Sequence, residues 1–134
     1  MRREDHTTCT LHDGTLLLIG GFDGLFLSST EFYNPTTGIW TLVGSMSVAR
    51  RGHTATVLND GTVLVTGGCD GTSSTSAELY DPTAKNWTMV GNMSASRSRH
   101  IAVKLDNGKV LVSGGWFNLS APASSEVYNP LTRA

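Results

Sequence analysis

The feature that most limits what this chain can fold into is its repetition. His6-Thr7-Thr8-Cys9-Thr10-Leu11 aligns with His53-Thr54-Ala55-Thr56-Val57-Leu58 and with His100-Ile101-Ala102-Val103-Lys104-Leu105, each histidine 47 residues from the next. Fourteen residues past each histidine stands a glycine pair: Gly20-Gly21, Gly67-Gly68 and Gly114-Gly115. A Glu-x-Tyr-[Asn/Asp]-Pro segment follows in every copy and carries Tyr33, Tyr80 and Tyr128, the last displaced by one inserted residue. Seven residues past the tyrosine come Trp40 and Trp87. A fixed period of this length marks an array of supersecondary units that bury their faces only against one another.

Within a unit the pattern is that of strands. Residues 53–58 and 62–66 are rich in Val, Leu and Thr, with Asn59-Asp60-Gly61 between them. Asp-Gly between two such runs signals a tight hairpin, because glycine accepts positive φ without strain. His12-Asp13-Gly14 and Asp106-Asn107-Gly108 repeat that turn. A third strand is expected near residues 77–80, ended by Asp81-Pro82, since proline cannot donate to a ladder. A fourth is expected over residues 87–90. Four short antiparallel strands per period make one propeller blade, so the expected fold class is all-β. Composition agrees: 39% hydrophobic residues argue against disorder, and fifteen glycines argue against a helical bundle.

These residues resemble the kelch repeat: a Gly-Gly ending the second strand, a Tyr in the third and a Trp in the fourth. The Met-Ser-x-x-Arg-x-x-His lead matches too, at residues 46–53 and 93–100. The resemblance covers nearly the whole chain and implies four-stranded blades with the first strand innermost. A single array over residues 1–134 is expected, with blades near 4–47, 48–94 and 95–134, the last incomplete. Closed propellers use about 4–8 blades. Two arrangements answer that shortfall: a portion of a longer propeller, or two copies associating head to tail as six blades. An isolated copy would expose an apolar sheet face at each end, which favours self-association.

Repeated and varying residues call for different readings. Arg3, Arg50 and Arg97 recur in every copy, as do the glycine pairs, the tyrosines Tyr33, Tyr80 and Tyr128, and Trp40 and Trp87. They are read as framework, the arginines pairing with Glu31, Glu78 and Glu126. Arg51 and Arg99 vary between copies and suit recognition better, since a guanidinium fork matches carboxylates. Six of the seven arginines precede a first strand, so one face carries positive potential although the formal net charge is −1. In kelch domains that recruit acidic peptides, arginines of these loops make such contacts, and by that analogy Arg99 is the best-placed candidate. Its equivalents in the other copies are Asp5 and Gly52, so no uniform arginine ring exists. The loops after the glycine pairs differ most and add Phe22, Phe26, Asp70, Trp116 and Phe117, the aromatics being expected at the surface.

His6, His53 and His100 occupy matching positions near the innermost strand. Converging on the axis they could hold a metal, but residues repeated in every unit are read as locally bonded framework, and no metal or cofactor is expected. The kelch fold also houses copper radical oxidases resembling galactose oxidase, which need a cysteine cross-linked to a tyrosine, a second tyrosine and two histidines. Here each tyrosine belongs to the repeated framework. No Gly-x-Ser-x-Gly elbow, P-loop or dinucleotide fingerprint occurs either. The expected function is therefore a non-catalytic scaffold binding a peptide or protein, an acidic segment suiting its arginines. The alternative is a portion of a larger propeller oxidase or carbohydrate-binding protein. The charge balance argues against nucleic acid, and no apolar run approaches a membrane span or a signal-peptide core. The sequons at Asn86, Asn92 and Asn118 leave the compartment unspecified.

Overall fold

A computed structural model describes residues 2–72, 74–116 and 124–134. Eleven strands are described: β1 (Thr7–Thr10), β2 (Leu16–Phe22), β3 (Phe26–Asn34), β4 (Ile39–Val43), β5 (Thr54–Val57), β6 (Val63–Thr66), β7 (Ala77–Asp81), β8 (Asn86–Met89), β9 (Ile101–Lys104), β10 (Val110–Ser113) and β11 (Ser125–Tyr128). They form three antiparallel meanders, β1-β2-β3-β4, β5-β6-β7-β8 and β9-β10-β11, and the described residues include no helix. This is the all-β architecture of propeller blades, the third without a fourth strand among the described residues.

The first hairpin of each sheet is built by one device used three times. In β5–β6, Leu58 N donates to Thr62 O and Gly61 N to Leu58 O, while the Asp60 carboxylate accepts from Thr62 N at 3.0 Å. Asp13 with Thr15 and Asn107 with Lys109 repeat the closure. The glycine of each turn is left-handed, with φ of +85°, +86° and +80° at Gly14, Gly61 and Gly108. That conformation is open to glycine at no steric cost.

Alternation along the strands then gives each sheet two apolar faces, and two cores result. Leu17 and Ile19 of the first sheet meet Val63, Val65 and Tyr80 of the second. Leu64 and Leu79, on the opposite face of the second sheet, meet Val110, Val112 and Tyr128 of the third. The first strands β1, β5 and β9 approach one another most closely, which puts them innermost. Tyr80 stacks tilted on Trp87, ring centroids 5.1 Å apart, and the Trp87 indole N–H donates to Gly44 O at 3.0 Å across the sheet boundary. Tyr33 and Trp40 form the same pair at 4.8 Å on the outer face of the first sheet.

Candidate functional site

The loops entering the first strands carry two layers of residues, and the lower one is identical in every copy. Arg50 is fully enclosed. Its Nη1 donates to Gly67 O at 2.7 Å and Ser76 O at 3.1 Å, and its Nη2 to Ser76 Oγ at 2.8 Å and Glu78 Oε1 at 3.0 Å. Glu78, also fully buried, accepts from the backbone N–H groups of Ser47 and Val48. Arg97 repeats this with Gly114 O, Ser124 and Glu126, and Arg3 with Gly20 O and Glu31. A buried ion pair stands only when its remaining donors and lone pairs are matched, and around Arg50 and Glu78 backbone carbonyls and loop amides match them.

The glycine pairs and histidines tie this layer to the neighbouring sheet. Gly21 N donates to Arg50 O and Gly68 N to Arg97 O. A Cβ at Gly20 would lie 2.6 Å from Arg50 O and 2.9 Å from His53 Cε1, and one at Gly67 would strike Arg97 O and His100 Cε1. The His53 Nε2 shares a 2.7 Å hydrogen bond with Thr7 of the preceding sheet. The His100 Nε2 does so with Thr54 and Thr66 at 3.0 and 2.9 Å. Burial and then the adjacent arginine charge push the imidazole pKa values down to about 3 for His53, with Arg50 beside it, and about 4 for His100, with Arg97 beside it. Both rings are therefore neutral wedges between sheets. Among the described residues no group of three or more His, Cys, Asp or Glu could hold a metal ion.

Directly above lies a layer that differs in every copy. Residues 4, 51 and 98 pair antiparallel with Phe22, Cys69 and Trp116, which brings the ends of the second strands to the axis. The next residues, Asp5, Gly52 and Arg99, all adopt the left-handed conformation with φ of +50°, +63° and +52°. Gly52 N donates to Asp5 O and Arg99 N to Gly52 O, so these peptides form a chain around the axis. Asp5, Arg51, Gly52, Cys69, Ser98, Arg99 and Trp116 surround a cavity of about 240 Å³. The Arg99 side chain is 64% exposed, and its Nη2 reaches back to Asp5 Oδ2 at 2.8 Å. Trp116 is 58% exposed.

The structure places the expected recognition residues unevenly. Arg51, Arg99 and Trp116 share the cavity. Phe22 and Phe26 are half-buried rather than exposed: their rings meet edge to face at 5.3 Å, and the Arg51 guanidinium lies over them at 4.5 and 5.4 Å. The expectation of surface aromatics fails there because the adjacent sheet delivers a cation onto the same rings. Asp70 is exposed beside the cavity, its carboxylate closing a turn on Thr72. Phe117, like the sequon at Asn118, lies outside the described residues. The contributions of Asp5, Cys69 and Ser98 were missed. The signal was present, since each aligns with a residue already singled out in another copy.

The family description "Kelch motif" matches residues 6–47 and 49–94. No curated protein matches the chain. Among solved structures, a fungal alcohol oxidase of the AA5 family, in complex with copper, is similar in fold, with a TM-score of 0.78 at 22% identity. The alignment covers 98% of this chain and 29% of the oxidase, so this chain spans under a third of that protein's length.

Proposed function

We propose that the chain, which belongs to the kelch-motif family, is a non-catalytic binding scaffold that takes an acidic peptide segment on the varying layer around the cavity. The observation that carries this reading is the Arg99–Asp5 pair, 94 residues apart in sequence, in which an exposed guanidinium already holds a carboxylate at 2.8 Å. A ligand carboxylate replacing Asp5 would keep that bond, with Arg51 and the Trp116 ring close by on the same cavity wall. Rim charge of this kind accelerates encounter and sets specificity more than it adds raw affinity. The test is capture of Glu- and Asp-rich peptides against neutral scrambled ones, with salt titration. Arg99→Ala should weaken an acidic hit roughly tenfold and flatten its salt dependence. Unchanged binding dismisses the arginine rim as the site.

A second reading is favoured by the similarity to the copper-containing oxidase. The residues described here do not fit such a centre: His53 and His100 are committed to threonines between sheets, and the Tyr80 ring lies in the first core. Copper ligands would have to come from other segments of a longer propeller. Copper titration followed by a peroxide-release assay on alcohols separates the readings, turnover supporting the oxidase.

A further inference from the structure

We propose that the free face of the third sheet is a socket for the first sheet of a second copy of this chain, joined head to tail. The chain shows the same joint twice already. At the first joint, the Gly20 position abuts Arg50 O and His53, and at the second the Gly67 position abuts Arg97 O and His100. At the third, no described atom lies within 4 Å of a Cβ position at Gly114, although its φ of +70° matches those of its two counterparts. The apolar residues around it are open as well: Ile101, Val103 and Val127 are 64, 49 and 49% exposed, whereas Leu79, in the register position of Val127, is 8% exposed. The hydroxyl of Ser113 occupies the position from which Thr66 bonds His100.

What fills the first two sockets is an Arg-x-x-His lead followed by a first strand and an apolar sheet face. The chain carries a further copy of that key at its other end. Arg3-x-x-His6 aligns with Arg50-x-x-His53, and His6 is exposed where His53 and His100 are buried. On the same outer face stand Thr8 and Thr10, counterparts of Ala55 and Val57, which pack in the first core. Leu16, Leu18 and Tyr33 likewise match Val63, Val65 and Tyr80 of that core. Key and socket therefore face away from each other on one molecule, and docking continues two interfaces that already exist. Such a heterologous contact closes as a ring when the rotation allows and otherwise extends as an open chain.

Light scattering across a protein dilution series tests this, with strand content checked by circular dichroism. The wild-type chain should show a mass that rises with concentration. Ile101→Lys with Val103→Lys spoils only the socket, and Thr8→Lys with Thr10→Lys spoils only the key, all at solvent-facing positions that folding tolerates. Either pair should weaken association by roughly 10- to 100-fold. An equimolar mixture of the two variants should recover a one-to-one complex, because one intact key then meets one intact socket. A wild-type chain that stays monomeric overturns the proposal and leaves the face to a blade from elsewhere. Association that survives both variants, or a mixture that fails to recover, also overturns it.

Discussion

Arg50 and Arg51 are adjacent in the chain, yet one guanidinium is sealed among strand carbonyls and a buried carboxylate while the other lies across two phenylalanine rings at the surface. The same contrast separates Arg97 from Arg99. Below, Arg3, Arg50 and Arg97 each bond a strand carbonyl and a glutamate of their own sheet, and His53 and His100 join one sheet to the next. Above, no position is the same in all three copies and the side chains surround an open cavity. A repeat fold can vary its rim freely because the layer beneath carries the cohesion, and the recognition proposed above falls on the residues it does not repeat.

The sharpest break of that contrast is to remove one partner of the buried pair. Glu78→Ala leaves Arg50 charged and enclosed, and denaturant unfolding should show a loss of about 3–5 kcal/mol. Arg51→Ala, one residue away from Arg50, should cost no more than about 1 kcal/mol, the cation–π contact with Phe22 and Phe26. Comparable losses would erase the distinction between the layers. Next in size is a pair of glycine substitutions. Gly67→Ala forces the Arg97 carbonyl and His100 aside and should cost about 2–3 kcal/mol, whereas Gly114→Ala, in a chain dilute enough to be monomeric, meets no described atom and should cost about 1 kcal/mol of left-handed strain. Equal costs would mean that the glycine pairs serve the turn alone and not the joint.

A pH series reaches the same joints from another side. His53 and His100 are neutral in the fold, with pKa values pushed down to about 3 and about 4, and titrate near 6.5 once unfolded. Between those values the unfolded chain binds more protons, so stability is complete above pH 6.5 and declines as pH falls toward 4. The slope should be up to about 1.4 kcal/mol per pH unit for each histidine, and His100→Gln should remove its share. A flat profile over that window would contradict the neutral wedge. The smallest stability effect should come from the rim. Arg99→Gly relieves a left-handed arginine and should stabilise by up to about 1 kcal/mol while weakening capture of acidic peptides as Arg99→Ala does.

Much of this was legible before any coordinates. The 47-residue register of His6, His53 and His100 located the first strand of each sheet, and the Asp-Gly and Asn-Gly turns located the hairpins. The repetition of Arg3, Arg50 and Arg97 alongside Glu31, Glu78 and Glu126 pointed to their pairing. Contacts between different copies were harder to read. Arg51 over Phe22 joins non-equivalent positions across a sheet boundary, Arg99 with Asp5 joins equivalent positions two copies apart, and one repeat read alone holds neither partner. The same holds for the Trp87 indole on Gly44, which shows in the spacing of the motif only as two separately recurring residues.

The central claim is that ligand recognition sits on the varying rim and is separable from the layer beneath. Two-dimensional NMR of the labelled chain, titrated with an acidic peptide selected by capture, tests it most directly. The account predicts shift changes concentrated at Asp5, Arg51, Gly52, Cys69, Ser98, Arg99 and Trp116, with Gly20, Gly67, His53 and His100 left in place. Changes centred instead on the hairpin turns at Gly14, Gly61 and Gly108, or on the free face around Ile101 and Val103, would contradict it.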